Sequence, residues 1–244
     1  MDAKTAAGVK KKPSADTRPY RHELKYIISE GEHAILSRRL SMTMAQDSNV
    51  NEQGEYFIRS LYFDDPYNTA LQEKEDGVQV RDKFRIRIYN NSDKVIKLER
   101  KHKHDQFIAK SSLSLTRQEC ESILAGDYQF LLDRPEQFAG EMFYQFTVNR
   151  LRPKVIVDYD REPYVFPVED VRITFDKNIR TAMRATDIFN PDLPTYPVWD
   201  LKNCMVLEVK FNQYLPAYIR TLIQLGASEH TAVSKYVYSR QYEF

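Results

Sequence analysis

Between Arg81 and Lys103 the chain reads RDKFRIRIYNNSDKVIKLERKHK, and its charged and apolar residues alternate with a period of two. Successive side chains of a β-strand point to opposite faces, so this spacing predicts strand rather than helix. Phe84, Ile86 and Ile88 fall on one face and Lys83, Arg85, Arg87 and Tyr89 on the other. After the NNSD turn, Ile96 and Leu98 oppose Lys97, Glu99, Lys101 and Lys103. The segment reads as a hairpin with one apolar face and one cationic face. It holds nine Lys and Arg against three acids, a local charge of +6, in a chain whose total is only +1, so the remainder carries −5. The positive charge is placed, not diffuse.

A single hairpin of this kind is what one solvated face of an antiparallel sheet looks like. The pattern recurs, however: Glu23 and Lys25 in HELKY, Arg172 and Asp176 in VRITFD, and Glu208 and Lys210 in LEVKF all alternate with apolar partners. A solvent face normally mixes Thr, Ser, Gln and both signs of charge, whereas Lys and Arg dominate here with single carboxylates between them. The expected fold class is α+β, an antiparallel β-barrel whose lumen is the charged face, with helices packed outside it. Such a lumen suits a polyanion.

The 244 residues, 42% of them hydrophobic, are enough for one substantial core. A disordered basic tail is expected over 1–18, with a lysine run from Lys10 to Lys12, and a single domain over 19–244. Cys120 and Cys204 form no disulfide framework, no apolar run approaches the roughly 20 residues that span a bilayer, and the N-terminus lacks the apolar core of a leader. A cytoplasmic protein without a transmembrane segment is expected.

The remaining elements follow from caps and breakers. Strands are predicted at Arg21–Ile28, Tyr56–Asp64, Phe107–Leu115, over KVIVDYD, at Asp170–Asp176 and at Met205–Phe211. Ser29 and Glu32 form a capping box for a helix to about Met42 that buries Ile35, Leu36 and Leu40. Asp65-Pro66 is read as the start of a short helix ending at Gly77. Thr116 and Glu119 cap a helix ending near Gly126, and another is predicted over Pro135–Tyr144. Pro163 and Pro167 mark a loop, and Pro191, Pro194 and Pro197 a longer connection. Two helices follow Pro216, broken at Gly226.

Several chemistries are excluded. No Gly-rich phosphate loop is present, and seven glycines are too few for a backbone nest. His102 and His104 share a strand face without a third ligand at zinc spacing, and no nucleophile-elbow sequence starts a serine triad. A nearly neutral chain lacks the overall basic balance of nucleic-acid binders, so no nucleic acid partner is expected.

HELKY, SLYFD, RIRIY, LERK, VNR, RITFD, LEVKF and SKY occur in an order and spacing that resembles the VTC polyphosphate polymerase domain, of the triphosphate tunnel metalloenzyme (CYTH-like) superfamily. The resemblance covers residues 19–240 and includes nothing like the membrane segments or regulatory domain that accompany eukaryotic members. It implies an eight-stranded antiparallel barrel forming a triphosphate tunnel, and a metal-dependent phosphotransferase that moves the γ-phosphate of ATP onto a growing polyphosphate chain. By position, Lys25, Arg85, Arg87, Lys101, Arg150 and Arg172 would be the catalytic cations. Lys97, Lys110, Lys210, Lys235 and Tyr62 would bind substrate, and Glu208, with Glu99 as second candidate, would hold Mn²⁺ or Mg²⁺. The wider group carries two glutamates before the lysine of its first strand, whereas this chain has Glu23 alone, expected to pair with a lumen arginine.

The partners so implied are ATP, triphosphate and polyphosphate. Phosphoryl transfer is mostly positioning and charge stabilisation, which fits Arg forks and Lys point charges around a hard ion. An inorganic triphosphatase or polyphosphate hydrolase would use the same tunnel with water as acceptor. A non-catalytic polyanion-binding module is the third reading, although it would need no metal carboxylate.

Overall fold

The computed structural model describes residues 21–105, 107–224 and 233–241. The expected tail over 1–18 and the helix break at Gly226 lie outside them. In the hairpin that begins at residue 80, β4 (Val80–Tyr89) and β5 (Ser92–His104) are joined by Asn90 and Asn91, both with positive φ. A two-residue turn of that hand matches the twist of its strands, and Asn tolerates it. The register sets Lys83 opposite Lys101, Arg85 opposite Glu99 and Arg87 opposite Lys97. The charged residues therefore share a face across the pair.

Around this hairpin lie β1 (Arg21–Ser29), β3 (Tyr56–Asp64), β6 (Phe107–Leu115), β7 (Arg152–Phe166), β8 (Val171–Thr181) and β10 (Cys204–Phe211). Their antiparallel pairings run β7-β3-β4-β5-β6-β1-β10-β8, and a β7–β8 ladder closes the ring of eight. Among the described residues the narrowest seam is β1–β6, held by two residue pairs, Arg21 with Ile108 and His22 with Phe107. Two-residue strands β2 (Ala45–Gln46) and β9 (Tyr196–Pro197) extend β7 and β8. The α+β class and the closed antiparallel arrangement are as expected.

The apolar faces point outward, under helices. Phe84, Ile86, Ile88, Ile96 and Leu98 are buried with Cys120 and Ile123 of α3 (Arg117–Ala125) and Met142 and Phe146 of α4 (Gln137–Thr147). On the other flank Ile173, Phe175, Leu207 and Val209 pack with Leu36 and Leu40 of α1 (Glu30–Ser41) and Ile219 of α5 (Ala217–Leu222). Covering both flanks leaves the polar faces turned inward. A third cluster joins inward Ile58, Val155, Val157 and Val206 to Ala70 and Leu71 of α2 (Thr69–Glu75) and Tyr236 of α6 (Lys235–Arg240).

Both capping boxes form, at Ser29/Glu32 and Thr116/Glu119, and Gly126 ends α3 in the left-handed region that favours glycine. Three local expectations fail. Ile35 is half exposed, so Leu36 and Leu40 carry the buried stripe of α1. The short helix begins at Thr69 rather than at Pro66, because the Asp65 carboxylate accepts from the backbone N–H groups of Tyr67 and Thr69 and closes a turn first. Finally, Pro163 is inside β7, not in a loop. On that edge β3 pairing stops at Arg161 and β2 pairing starts at Tyr164, so the missing N–H falls where no ladder bond is required.

Candidate active site

Because β1, β4, β5, β7 and β10 present alternate residues inward, their cations converge with those at the start of α6 on one interior cavity of about 90 Å³. Lys25, Lys83, Arg85, Arg87, Lys101, Arg161, Lys210 and Lys235 line it, with Tyr62 and Ser234. Lys25, Lys83 and Lys101 also line a wider vestibule of about 530 Å³, so the two cavities adjoin. The vestibule adds Lys74, Arg81 and Lys103 and includes His22 and Ile108 of the β1–β6 seam.

Glu208, on β10, is the hub of the interior. Its carboxylate lies 2.9 Å from Lys210, 3.1 Å from Lys25, 3.2 Å from Lys235 and 3.3 Å from Arg161. Burial would raise its pKa, but those four cations, Lys210 foremost, outweigh it and hold the carboxyl well below the usual range. Asp176 pairs with Arg161 and Lys235. Glu23 pairs with Lys101 at 2.7 Å, Lys25 at 3.1 Å and Lys210 at 3.9 Å, so its partners are lysines and not the arginine expected.

The eight lining cations meet four carboxylates among the described residues, Glu23, Glu99, Asp176 and Glu208, which leaves a surplus of four positive charges. Two of the cations form no ion pair among the described residues. Arg87 donates to Ser60 Oγ at 3.2 Å and Tyr159 OH at 2.9 Å, and Lys83 donates to Ser234 Oγ at 2.7 Å. The surplus shows in the lysines. Burial pulls Lys101 down and Lys25 adds to it, so that Glu23 cannot offset them and the ammonium falls to about 7. Burial together with Lys25, Lys101, Lys74 and Arg81 holds Lys83 well below its ordinary value. Such a cavity is poised for an anion that restores those charges.

Of the residues singled out from the sequence, Lys25, Arg85, Arg87, Lys101, Lys210, Lys235, Tyr62 and Glu208 come together in this cavity. Tyr62 OH accepts from Arg85 at 3.2 Å. Lys97 and Lys110 lie on the same inward face by register, donating to Ser114 Oγ at 2.6 Å and Glu99 at 2.5 Å, but line neither cavity. Arg172 also faces inward, opposite Lys210, and is bound to Asp47 at 2.7 Å and to Tyr56 OH. Arg150 is not brought in. It sits exposed at positive φ between α4 and β7, and the inward arginine of that strand is Arg161, which the loop reading of Pro163 had hidden.

Glu99 is also set apart from the open space. It is 1% exposed, with Arg85 at 2.8 Å and Lys110 at 2.5 Å on its two oxygens. Glu23, read from the sequence as a pairing residue, joins the vestibule lining, as does Asp105. Among the described residues no group of three or more His, Cys, Asp or Glu is placed to hold a metal ion. A hard divalent ion needs only one or two protein carboxylates when phosphate oxygens and water complete its shell. Of the two candidates Glu208 lines the cavity, with four cations on its oxygens, whereas Glu99 lines neither cavity.

Similar folds are found in solved structures. A provisionally assigned adenylyl cyclase from Hippeastrum, described as having a dominant triphosphatase activity, aligns at 14% identity over 90% of this chain and 94% of its own, with a TM-score of 0.52. A provisionally assigned adenylate cyclase from Bacillus halodurans aligns at 12% identity over 84% and 86%, with a TM-score of 0.47. One from Vibrio parahaemolyticus aligns at 11% over 84% and 86%, with a TM-score of 0.43. No curated protein matches. No helix among the described residues is long and apolar enough to cross a membrane. The VTC domain family matches residues 20–244, nearly the whole length, and the chain belongs to that family.

Proposed function

We propose that this protein is a cytoplasmic ATP-dependent polyphosphate polymerase, transferring the γ-phosphate of ATP to a polyphosphate acceptor inside the ring. The observation that carries this reading is the wall that the two cavities share: Lys74, Arg81 and Lys103 of the vestibule add to the basic lining beyond the interior cations. A single triphosphate would not need that reach, whereas a longer chain would. Arg85 and Arg87 would grip non-bridging oxygens, Arg87 with its guanidinium free of any carboxylate among the described residues. Lys25, Lys101 and Lys210 would act as adjustable point charges, and Lys235 would anchor α6 against Asp176 and Glu208 while facing the phosphates. Glu208 would hold Mg²⁺ or Mn²⁺ against the phosphate oxygens, where the ion neutralises charge on the transferred group.

Incubating the purified protein with γ-labelled ATP and Mn²⁺, then separating polymer from free phosphate on a gel, tests the reading directly. Labelled polymer supports it. A second reading, inorganic triphosphatase with water as acceptor, is favoured by the activity described for the Hippeastrum structure. Label recovered only as free phosphate, at every concentration of added primer, would replace the first reading with the second.

A further inference from the structure

Arg81 and Lys103 of the vestibule lie where β4 begins and β5 ends. The other end of the ring is where β3 begins at Tyr56, β4 ends at Tyr89 and β8 begins at Val171. Arg172 faces inward there, beside Lys210, yet Arg172, Tyr56 and Tyr89 line neither cavity. The segment between β2 and β3, residues 47–55, crosses this end. Asp47 accepts from Arg172 at 2.7 Å, and Val50 packs against the inward cluster that contains Tyr56 and Ile58.

We propose that residues 47–55 form a gate over this end of the ring, latched by Asp47 on Arg172, and that a polyphosphate chain running through the ring opens it by taking Arg172 from Asp47. The proposal rests on the reading that the ring takes polyphosphate. A triphosphate confined to the interior cavity does not meet Arg172, which lies outside that lining, whereas a longer chain passing Lys210 does. Asp47 is then a competitor for Arg172 built into the chain, displaced only by a ligand long enough to need the far end.

The segment is built to move as one body. Asn51 Oδ1 accepts from the N–H groups of Gln53 and Glu55, the Asn51 N–H donates to Glu55 O, and the Gln46 side chain lies so close over Gly54 that no side chain would fit there. Such a compact loop with close ends can swing without unravelling. Its two necks are held, by the pairing of Ala45 and Gln46 with β7 and by Lys177 on Glu55 at 2.5 Å. The latch itself is partly open to solvent, with the Arg172 side chain 32% exposed. Asp47 is satisfied without it, because Oδ1 also accepts from the Asn49 N–H at 3.0 Å and from Asn49 Nδ2 at 2.7 Å. Release therefore strands no carboxylate, and a phosphate on Arg172 replaces one charge-assisted bond by another. Tyr56 OH, which accepts from Arg172 at 3.1 Å, belongs to β3 and keeps the guanidinium in place. A phosphate arriving beside Arg172 also repels the Asp47 carboxylate, which drives the segment off the ring rather than merely loosening it.

The test measures calorimetric affinity for long-chain sodium polyphosphate and for sodium triphosphate, together with hydrogen exchange over residues 47–55, in wild type, Asp47→Asn and Glu52→Gln. Glu52 is exposed in the same segment, so its variant carries the same change of charge without touching the latch. Asp47→Asn should bind long polyphosphate about fivefold more tightly than wild type, while its triphosphate affinity and both affinities of Glu52→Gln stay within about twofold. Exchange over 47–55 should quicken in wild type with long polyphosphate and not with triphosphate, and should already be quicker in Asp47→Asn without ligand. Equal gains for both ligands in Asp47→Asn, or an equal gain in Glu52→Gln, would reduce the effect to net charge and overturn the latch. Long polyphosphate that binds without quickening the exchange overturns the gate and leaves the polyphosphate reading intact. A wild-type chain that binds no long polyphosphate overturns that reading and the proposal with it.

Discussion

The ammonium of Lys101 lies 2.7 Å from the carboxylate of Glu23, yet burial and the nearby Lys25 outweigh that pairing and push it down to about 7. Anion binding needs the charged form. Triphosphate affinity should therefore be highest below about pH 7 and fall as pH rises, by up to about tenfold per unit for one linked proton. Calorimetry at about pH 8 in buffers of different ionisation enthalpy should register proton uptake on binding. An affinity that is flat with pH would show that Lys101 takes no part.

The same shift acts on folding with the opposite sign. An unfolded lysine titrates at its ordinary 10.5, so between about 7 and that value the unfolded chain binds more protons than the folded one. The contribution of Lys101 to stability thus rises with pH across that window. The empty protein should become harder to unfold in urea on going from about pH 7 to about pH 9, while its hold on triphosphate weakens. A stability that falls over the window, with no other group accounting for it, would contradict the buried placement of Lys101.

Arg87 and Arg85 differ in what they already hold. Arg85 pairs with Glu99 at 2.8 Å, whereas among the described residues Arg87 donates to the hydroxyls of Ser60 and Tyr159 and to no carboxylate. A phosphate can take Arg87 without competing with a carboxylate. Replacing Arg87 by Ala should weaken triphosphate binding by about 2 kcal/mol, roughly thirtyfold, and the double Ala variant by several kcal/mol. Unchanged calorimetric affinity in the folded double variant would remove the interior cavity as the binding site.

Glu208 is predicted to have two separable roles. Removing its charge leaves Lys25 and Lys210 to Glu23 and leaves Arg161 and Lys235 to Asp176, so Glu208→Gln should lose about 2 kcal/mol of stability without ligand, and bound triphosphate should recover part of that loss. If Glu208 also holds the metal, metal-free triphosphate should bind the variant at least as well as wild type, and Mn²⁺ should no longer strengthen it. An unaltered Mn²⁺ titration would leave Glu208 as an ion-pairing residue alone.

What was legible in the sequence was the faces, because alternation is a local property and the ring keeps it. Phe84, Ile86 and Ile88 went outward under helices and Lys83, Arg85 and Arg87 inward, as the period-two pattern required. What was not legible depended on pairing. Pro163 reads as a breaker until the gap between the β3 and β2 ladders is seen, and with it Arg161 was missed in favour of Arg150. Lys83 reads as inward from the alternation, but nothing local marks it as lacking a carboxylate partner among the described residues; it donates instead to Ser234, 151 residues away in the chain. Nor does a strand pattern tell which of Glu23 and Glu99 meets the cavity, since both alternate correctly and only the packing of Arg85 and Lys110 closes off Glu99.

The vestibule offers the sharpest separation of polymer handling from hydrolysis of a small ligand. Arg81 and Lys103 face each other across the β4–β5 pair and line the wide cavity without lining the interior one. A triphosphate held by Arg85, Arg87 and Lys210 would end before them, whereas a longer chain would run over both. Replacing Arg81 and Lys103 by Gln should therefore leave triphosphate affinity within about threefold of wild type while weakening long polyphosphate by about tenfold or more, since each lost contact is a charge-assisted one. The salt dependence of polyphosphate binding should flatten in the same variant, because partly exposed charges are the ones that mobile ions screen. Equal losses for both ligands would mean that the vestibule acts only through the general field of the ring. Loss of neither would confine the functional cavity to a single triphosphate, and the triphosphatase reading would then describe the protein better.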